Sequence, residues 1–371
     1  VKPIWSALAA ALMAGLGLVV PYGVDDRSLG VAVAGLPGTL LTALVLLLAA
    51  TGRAPAVALL IPSGLAGALL ALLRLEGGGG PGYWLLFWGF LLASLAATGR
   101  ISLVEADPDE GPLLQRLRGA IPAGSVPLVL LLVWQGLVVG FEVPKGIFPG
   151  VHHVVEVLTQ SYPVLLNDSY VTFVKEVLLG FGVGLLGGFL VGVAVACSTL
   201  LQRGFLPLAA AFGAVPIVGL APVLGRAFGV DWESKAAVVV IVTFFPVVLN
   251  TVQGLVLVEP LKLELLQAYG AKPWGIFRKL RLPNALPFLF NALKLAVVLS
   301  VISVIVAEFL IPGPPEGLGQ RISLSARRGA YDVVFAAIFL SSAISISIYG
   351  LLSLLERRLT GWHSSFREEG A

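Results

Sequence analysis

The side chains in this sequence that could do chemistry are few, and their types suit binding rather than bond-making. No Ser-His-Asp set, paired acids or metal-ligand cluster is visible among the residues. His152 and His153 are adjacent and cannot share one helix face, and the single Cys197 excludes a disulfide within the chain. A phosphate cradle of the G-x-x-x-x-G-K-[ST] type is absent; the glycine run 77–80 is followed by Pro81 and no lysine. The chain therefore reads as no enzyme, with no catalytic residues, no metal and no cofactor of its own, and nothing in it suggests nucleic acid. The one concentrated polar feature is Glu264–Pro287, ELLQAYGAKPWGIFRKLRLPNALP, a basic island between two apolar spans. Pro260 can open a helix, Gly270 supplies its left-handed stop, and Pro273 restarts a second helix carrying Trp274, Arg278, Lys279 and Arg281 before Pro283. Such a structured, cation-rich knob is expected to be a docking surface on the cytoplasmic side. Anchoring of its cations on anionic lipid headgroups is the plainer alternative.

The elements that must position this island are membrane helices. Of 371 residues, 57% are hydrophobic and 12% charged, and the mean hydropathy is +0.96, which together define an integral membrane protein. The expected fold is all-α, a polytopic bundle of about ten transmembrane helices, at 4–22, 30–50, 55–73, 83–99, 121–141, 171–197, 205–228, 235–257, 284–310 and 332–355. The opening span reads as a retained signal anchor between Lys2 and Asp25-Asp26. With both termini cytoplasmic, Arg116/Arg118, Arg278–Arg281 and Arg357/Arg358 fall inside, as the positive-inside rule asks, while Arg327-Arg328 runs against it. Composition divides the chain into a block of four spans over 1–100, a polar cytoplasmic linker over 101–125, a core of about six spans over 126–362 with the docking loop at 259–283, and a cytoplasmic tail at 363–371. The N-terminal block shows no chemistry and reads as a packing or assembly element.

Polar residues inside spans are the candidates for a pathway, because such groups face a partner or water. Asn250 and Gln253 lie three apart on one helical face, and Asn291 and Glu308 sit in the following span. Lys294 lies about 21 Å along a helix from Glu308 and reads as a snorkelling cation. Asn167-Asp168-Ser169 reads as a helix cap. Asp231, Glu233 and Arg321 fall in outer segments, where they could meet a delivery protein or be merely solvated.

The basic island resembles the Glu-Ala-Ala loop of binding-protein-dependent ABC transporter permeases. Glu264 stands six residues before Gly270, Leu282-Pro283 follow, and Ala285, Leu286 and Pro287 come after. The two small residues after the family's glutamate are here Leu265 and Leu266. From about 127 to 362 the order of features is similar to the nitrate/sulfonate/taurine branch. It runs through Phe148-Pro149-Gly150, the glycines between Gly180 and Gly192, the Val215-Pro216 break, the turn 230–233, Val306-Ala307-Glu308 and Gly317-Leu318-Gly319. The resemblance implies a type I importer permease in a bacterial-type cytoplasmic membrane, passing a small solute inward. Nitrate, sulfonates, taurine or pyrimidine vitamin precursors would be the solute class. It implies a dimer of ABC ATPase subunits holding ATP-Mg, an extracytoplasmic solute-binding protein and a second permease copy as partners, all acting in the lipid bilayer. Glu264, Leu265, Leu266, Ala268, Gly270, Trp274, Arg278, Lys279 and Pro283 would then form the coupling surface, and Glu308 matches the family's glutamate. On the residues alone a secondary transporter or channel without an ATPase stays open beside this reading, as does a non-transporting scaffold.

Overall fold

The structure, a computed structural model, describes residues 2–22, 30–51, 54–73, 75, 78–103, 112–213 and 215–361. Asp25-Asp26, Arg53, the acidic part of the linker and the tail 363–371 lie outside the described residues. Regular structure among the described residues is helical, in two compact units, 1–156 and 157–371.

The first unit holds α1 (Lys2–Gly17), α2 (Gly30–Thr51), α3 (Ala54–Leu73), α4 (Pro81–Leu103) and α5 (Pro112–Gly140), and reaches into α6 (Val151–Gln160). Its centre is α4, which presents Tyr83, Phe87, Phe90 and Leu91 to a common core. Neighbours approach it through glycines: a Cβ at Gly89 would collide with the backbone of Ala14, and one at Gly136 with the Phe87 ring. The Tyr83 hydroxyl donates to Gly136 O at 2.9 Å, and the Thr98 and Ser125 hydroxyls meet at 3.2 Å. These contacts hold α5 on α3 and α4, although the sequence analysis placed this span in the core. Composition marked 101–125 as a linker, but α5 is helical from Pro112 onward and carries Pro122 and Pro127 inside it.

The second unit contains α7 (Tyr162–Ala196), α8 (Thr199–Phe212), α9 (Ile217–Phe228), α10 (Trp232–Val256), α11 (Pro260–Ala268), α12 (Pro273–Leu310), α13 (Leu318–Arg327) and α14 (Tyr331–Thr360). Its axis is α10, packed along α7 on one side and α12 on the other. Gly180, Gly184, Gly188 and Gly192 recur every fourth residue of α7, so they form one stripe facing α10. A Cβ at Gly184 would stand 2.8 Å from Thr243, and one at Gly192 2.7 Å from Thr251. The stripe thus lets two backbones approach where larger side chains would hold them apart. Toward α12, Gly254 abuts Ala285, and the Thr243 hydroxyl shares a hydrogen bond of 3.2 Å with that of Ser300.

Six of the described helices are long and apolar enough to cross a membrane: 81–99, 120–140, 162–196, 232–256, 273–310 and 331–360. The expected count of about ten is not reached among the described residues. Shorter apolar stretches, Ser6–Gly17, Pro37–Ala49 and Leu59–Leu73, lie in α1, α2 and α3. The expected span 205–228 is broken at Pro216 into α8 and α9, of 14 and 12 residues. At 1.5 Å per residue each covers only about 20 Å of a hydrocarbon layer of about 30 Å. Conversely α7 starts at Tyr162, upstream of the expected 171, and runs unbroken through a π-helical stretch at Tyr170–Leu178.

Candidate functional site

Two polar regions stand at opposite ends of α10, and the exposed one is the loop that the sequence singled out. Pro260 occupies the first turn of α11, behind Glu259, whose carboxylate pairs with Lys262 at 2.7 Å. The helix ends in a Schellman turn. Gly270 has φ +73°, its N–H donates to Gln267 O at 2.9 Å, and the N–H of Ala271 donates to Leu266 O at 3.0 Å. Pro273 then opens α12, whose next residues, Phe277–Arg281, form a π-helical turn.

This geometry leaves large apolar side chains in the open. Tyr269 is 82% and Trp274 70% exposed, and Leu261 and Leu265 are exposed beside them. The Trp274 ring stacks on Phe277 with centroids 5.5 Å apart, which fixes its direction. Glu264, Ala268, Arg278 and Lys279 are exposed, whereas Leu266 and Pro283 are half-buried. The base of the loop is rigid: the Asn284 amide donates to Gly254 O and Leu257 O, both at 2.9 Å. Phe277 packs on the buried group Ala196, Leu255 and Ala285. The loop is thereby tied at its base to both α10 and α12.

The other region is buried, and the sequence did not disclose it. Three successive N–H groups of the Gly317–Gly319 strap point at three side chains. Gly317 N donates to Asp168 Oδ1 at 3.2 Å, Leu318 N to Thr172 Oγ1 at 2.9 Å, and Gly319 N to Glu308 Oε2. Thr172 in turn donates to Glu308 Oε1 at 2.8 Å. Arg321 Nε bonds Asp168 Oδ2 at 2.7 Å, and the Asp168 side chain is 1% exposed. Gln320 donates to the carbonyls of Glu308 and Ile311, closing the far side. The strap must be glycine at both ends, since a Cβ at Gly317 or Gly319 would overlap the Glu308 carboxylate. Glu176 is buried, its Oε2 without a hydrogen-bond partner, and Lys235 donates to Val230 O at 2.5 Å.

Several expectations are redirected here. Glu308, expected to line a pathway, is fully buried within the unit. Asp168 caps no helix start; it sits inside continuous α7 and holds Arg321, which is turned inward rather than offered to a delivery protein. Lys294 does not snorkel alone but pairs with Glu356 of α14 at 2.7 Å. Asn250 donates to Pro246 O of its own helix at 2.9 Å, while Gln253 and Asn291 are exposed. Asp231 and Glu233 are exposed at the start of α10. Thr172, Glu176 and Lys235 were missed altogether. The signal was present as Asp168, Thr172 and Glu176, each four residues on from the last, which places them on one helix face.

Comparison with known proteins gives a consistent result. The family described as "Binding-protein-dependent transport system inner membrane component" matches residues 184–361. A probable ABC transporter permease protein of Haemophilus influenzae is 30% identical over 230 residues, 62% of this chain and 93% of that protein. A riboflavin transport system permease protein of Chloroflexus aurantiacus is 31% identical over 256 residues, 68% of this chain and 94% of the relative. The taurine transport system permease protein of Escherichia coli is 26% identical over 241 residues, covering 63% and 87% respectively.

Proposed function

The chain belongs to the binding-protein-dependent ABC transporter permeases, and from that premise we propose that its 259–283 loop is the lever through which a separate ATPase drives it. It is a multi-pass membrane subunit of an ABC importer and not an enzyme; members of this family work with ATPase and substrate-binding partners. The single observation that carries the lever reading is the exposed pair Tyr269 and Trp274 on a Schellman-ended loop whose base is tied to α10 by Asn284. Exposed aromatics flanked by Arg278 and Lys279 suit a partner with an apolar groove and an acidic rim. ATP-Mg would be held and hydrolysed on that partner, present as a dimer beneath two copies of this permease.

The same reading puts the loop and both termini in the cytoplasm of a bacterial-type cell. Asp231 and Glu233 then face outward, where an extracytoplasmic solute-binding protein docks. Asn250, Gln253 and Asn291 are the polar side chains best suited to line the passage. The solute is small, of the nitrate, sulfonate, taurine or pyrimidine-precursor class, within which a relative named for formylaminopyrimidine transport falls; one named for riboflavin extends the range to flavins.

The test is purification of the chain with its operon's ATPase, followed by uptake in vesicles. Trp274→Ala combined with charge reversal at Arg278 and Lys279 is expected to lose the ATPase on purification and cut uptake at least tenfold. Thermal unfolding of the permease should not change. Normal ATP-driven uptake by this variant would remove the loop from the mechanism.

A further inference from the structure

The loop at 259–283 has a neighbour at its own end of the unit. α7 ends at Ala196, and the chain turns through Cys197 and Ser198 into α8. Ala196 belongs to the buried group with Leu255 and Ala285 on which Phe277 packs, and Phe277 carries the stacked Trp274 ring. The segment 197–203 therefore stands beside the base of the loop, linked to Trp274 through a single ring.

This turn is built as firmly as the loop. The N–H of Cys197 donates to Val193 O at 3.2 Å and that of Ser198 to Val195 O at 3.1 Å, so the hydrogen bonding of α7 continues past its last residue. Ser198, with extended backbone at φ −136°, caps α8 by accepting from the Leu201 N–H at 3.4 Å. The Gln202 amide reaches back to Ala196 O at 3.0 Å. What the turn presents is Leu200, 79% exposed, with Leu201 exposed beside it and Arg203 exposed three residues on. That spacing puts Leu200 and Arg203 on one helix face. Ser198, Thr199, Gln202 and Arg203 make this a polar surface segment, and a cation beside Leu200 holds that face at the aqueous boundary rather than in hydrocarbon. A large apolar side chain next to a cation is also what the loop offers, in Tyr269 and Trp274 beside Arg278 and Lys279. One partner surface with apolar grooves and an acidic rim suits both.

We propose that the 197–203 turn is a second docking point for the ATPase, with Leu200 seated in the partner and Arg203 on its acidic rim. The proposal rests on the reading of the 259–283 loop as the ATPase lever and adds a separate foot to it. The partner then grips the unit at two places: the loop, tied to α10 and α12, and the turn, continuous with α7. The inner end of α7 follows the ATPase by direct contact, besides its packing on α10.

Photo-crosslinking in the assembled complex tests this. Benzoylphenylalanine replaces Leu200, or Trp274 as the reference, and the permease is irradiated in lipid vesicles with its ATPase bound. Both positions are expected to give ATPase adducts. An ATPase adduct from position 274, with lipid adducts alone or none from position 200, would overturn the second docking point and leave the lever standing. No ATPase adduct from either position would remove both. Cys197, the single cysteine and exposed on the turn, gives an independent readout in the unaltered chain. Adding the ATPase to vesicles with the loop side outward should slow its reaction with a water-soluble maleimide; an unchanged rate counts against the contact. Leu200→Asp combined with Arg203→Glu should raise the Kd for the ATPase about fivefold, and an unaltered Kd would also overturn the proposal.

Discussion

Gly270 and Gly317 have the same backbone problem and opposite surroundings. Both hold φ in the left-handed region, at +73° and +102°, where side chains are strained. Around Gly270 there is open space, whereas at Gly317 a Cβ would enter the Glu308 carboxylate. The loop needs glycine to turn; the strap needs it to turn and to leave room. One end of the unit is therefore open around its glycine, and the other is filled by its own side chains.

Substitutions can break that contrast in graded fashion. Asp168→Ala should have the largest effect, because it leaves Arg321 beside the buried strap without its partner; a loss of about 3–5 kcal/mol is expected in detergent unfolding. Gly317→Ala combines left-handed strain with overpacking and should lose roughly 3 kcal/mol. Gly270→Ala carries the strain alone, so about 1 kcal/mol is expected in the same measurement. Equal losses at the two glycines would erase the distinction drawn here. Smallest is Lys262→Ala, which removes a pair whose side chains are 64% and 52% exposed and should shift stability by no more than about 0.5 kcal/mol. If it matched Asp168→Ala, exposure would not be what separates the two ends.

The exposed end was legible in the sequence because its determinants are local. Pro260, Gly270 and Pro273 act on their own turns, and Trp274 stands out by type in a polar segment. The buried end is made by residues far apart in the chain. Asp168 meets Gly317 and Arg321 across about 150 positions, and Lys294 meets Glu356 across 62. Periodicity reports which face of a helix is apolar but not which helix lies opposite, so Asp168 read as a cap and Lys294 as a lone cation. The broken span 205–228 failed for another reason. Its hydropathy is continuous, and only the interruption at Val215-Pro216 separates the two helices. The family resemblance supplied the expectation that the loop docks a partner; it offered nothing about Thr172 or Lys235, whose partners lie on other segments.

The glycine stripe between α7 and α10 also has a mechanical meaning. Two rods laid side by side and free to slip bend independently, but rods keyed along their length bend as one thicker beam. Gly180, Gly184, Gly188 and Gly192 key α7 to α10 at every turn, with backbone and Cβ atoms of α10 filling the notches. A deflection imposed at the Val256 end must then arrive at Trp232 as rotation of the whole beam, with little absorbed as flexing along the way. The compliance of the unit is left to its joints: the turn at Gly229, the break before α9, and the strap at Gly317.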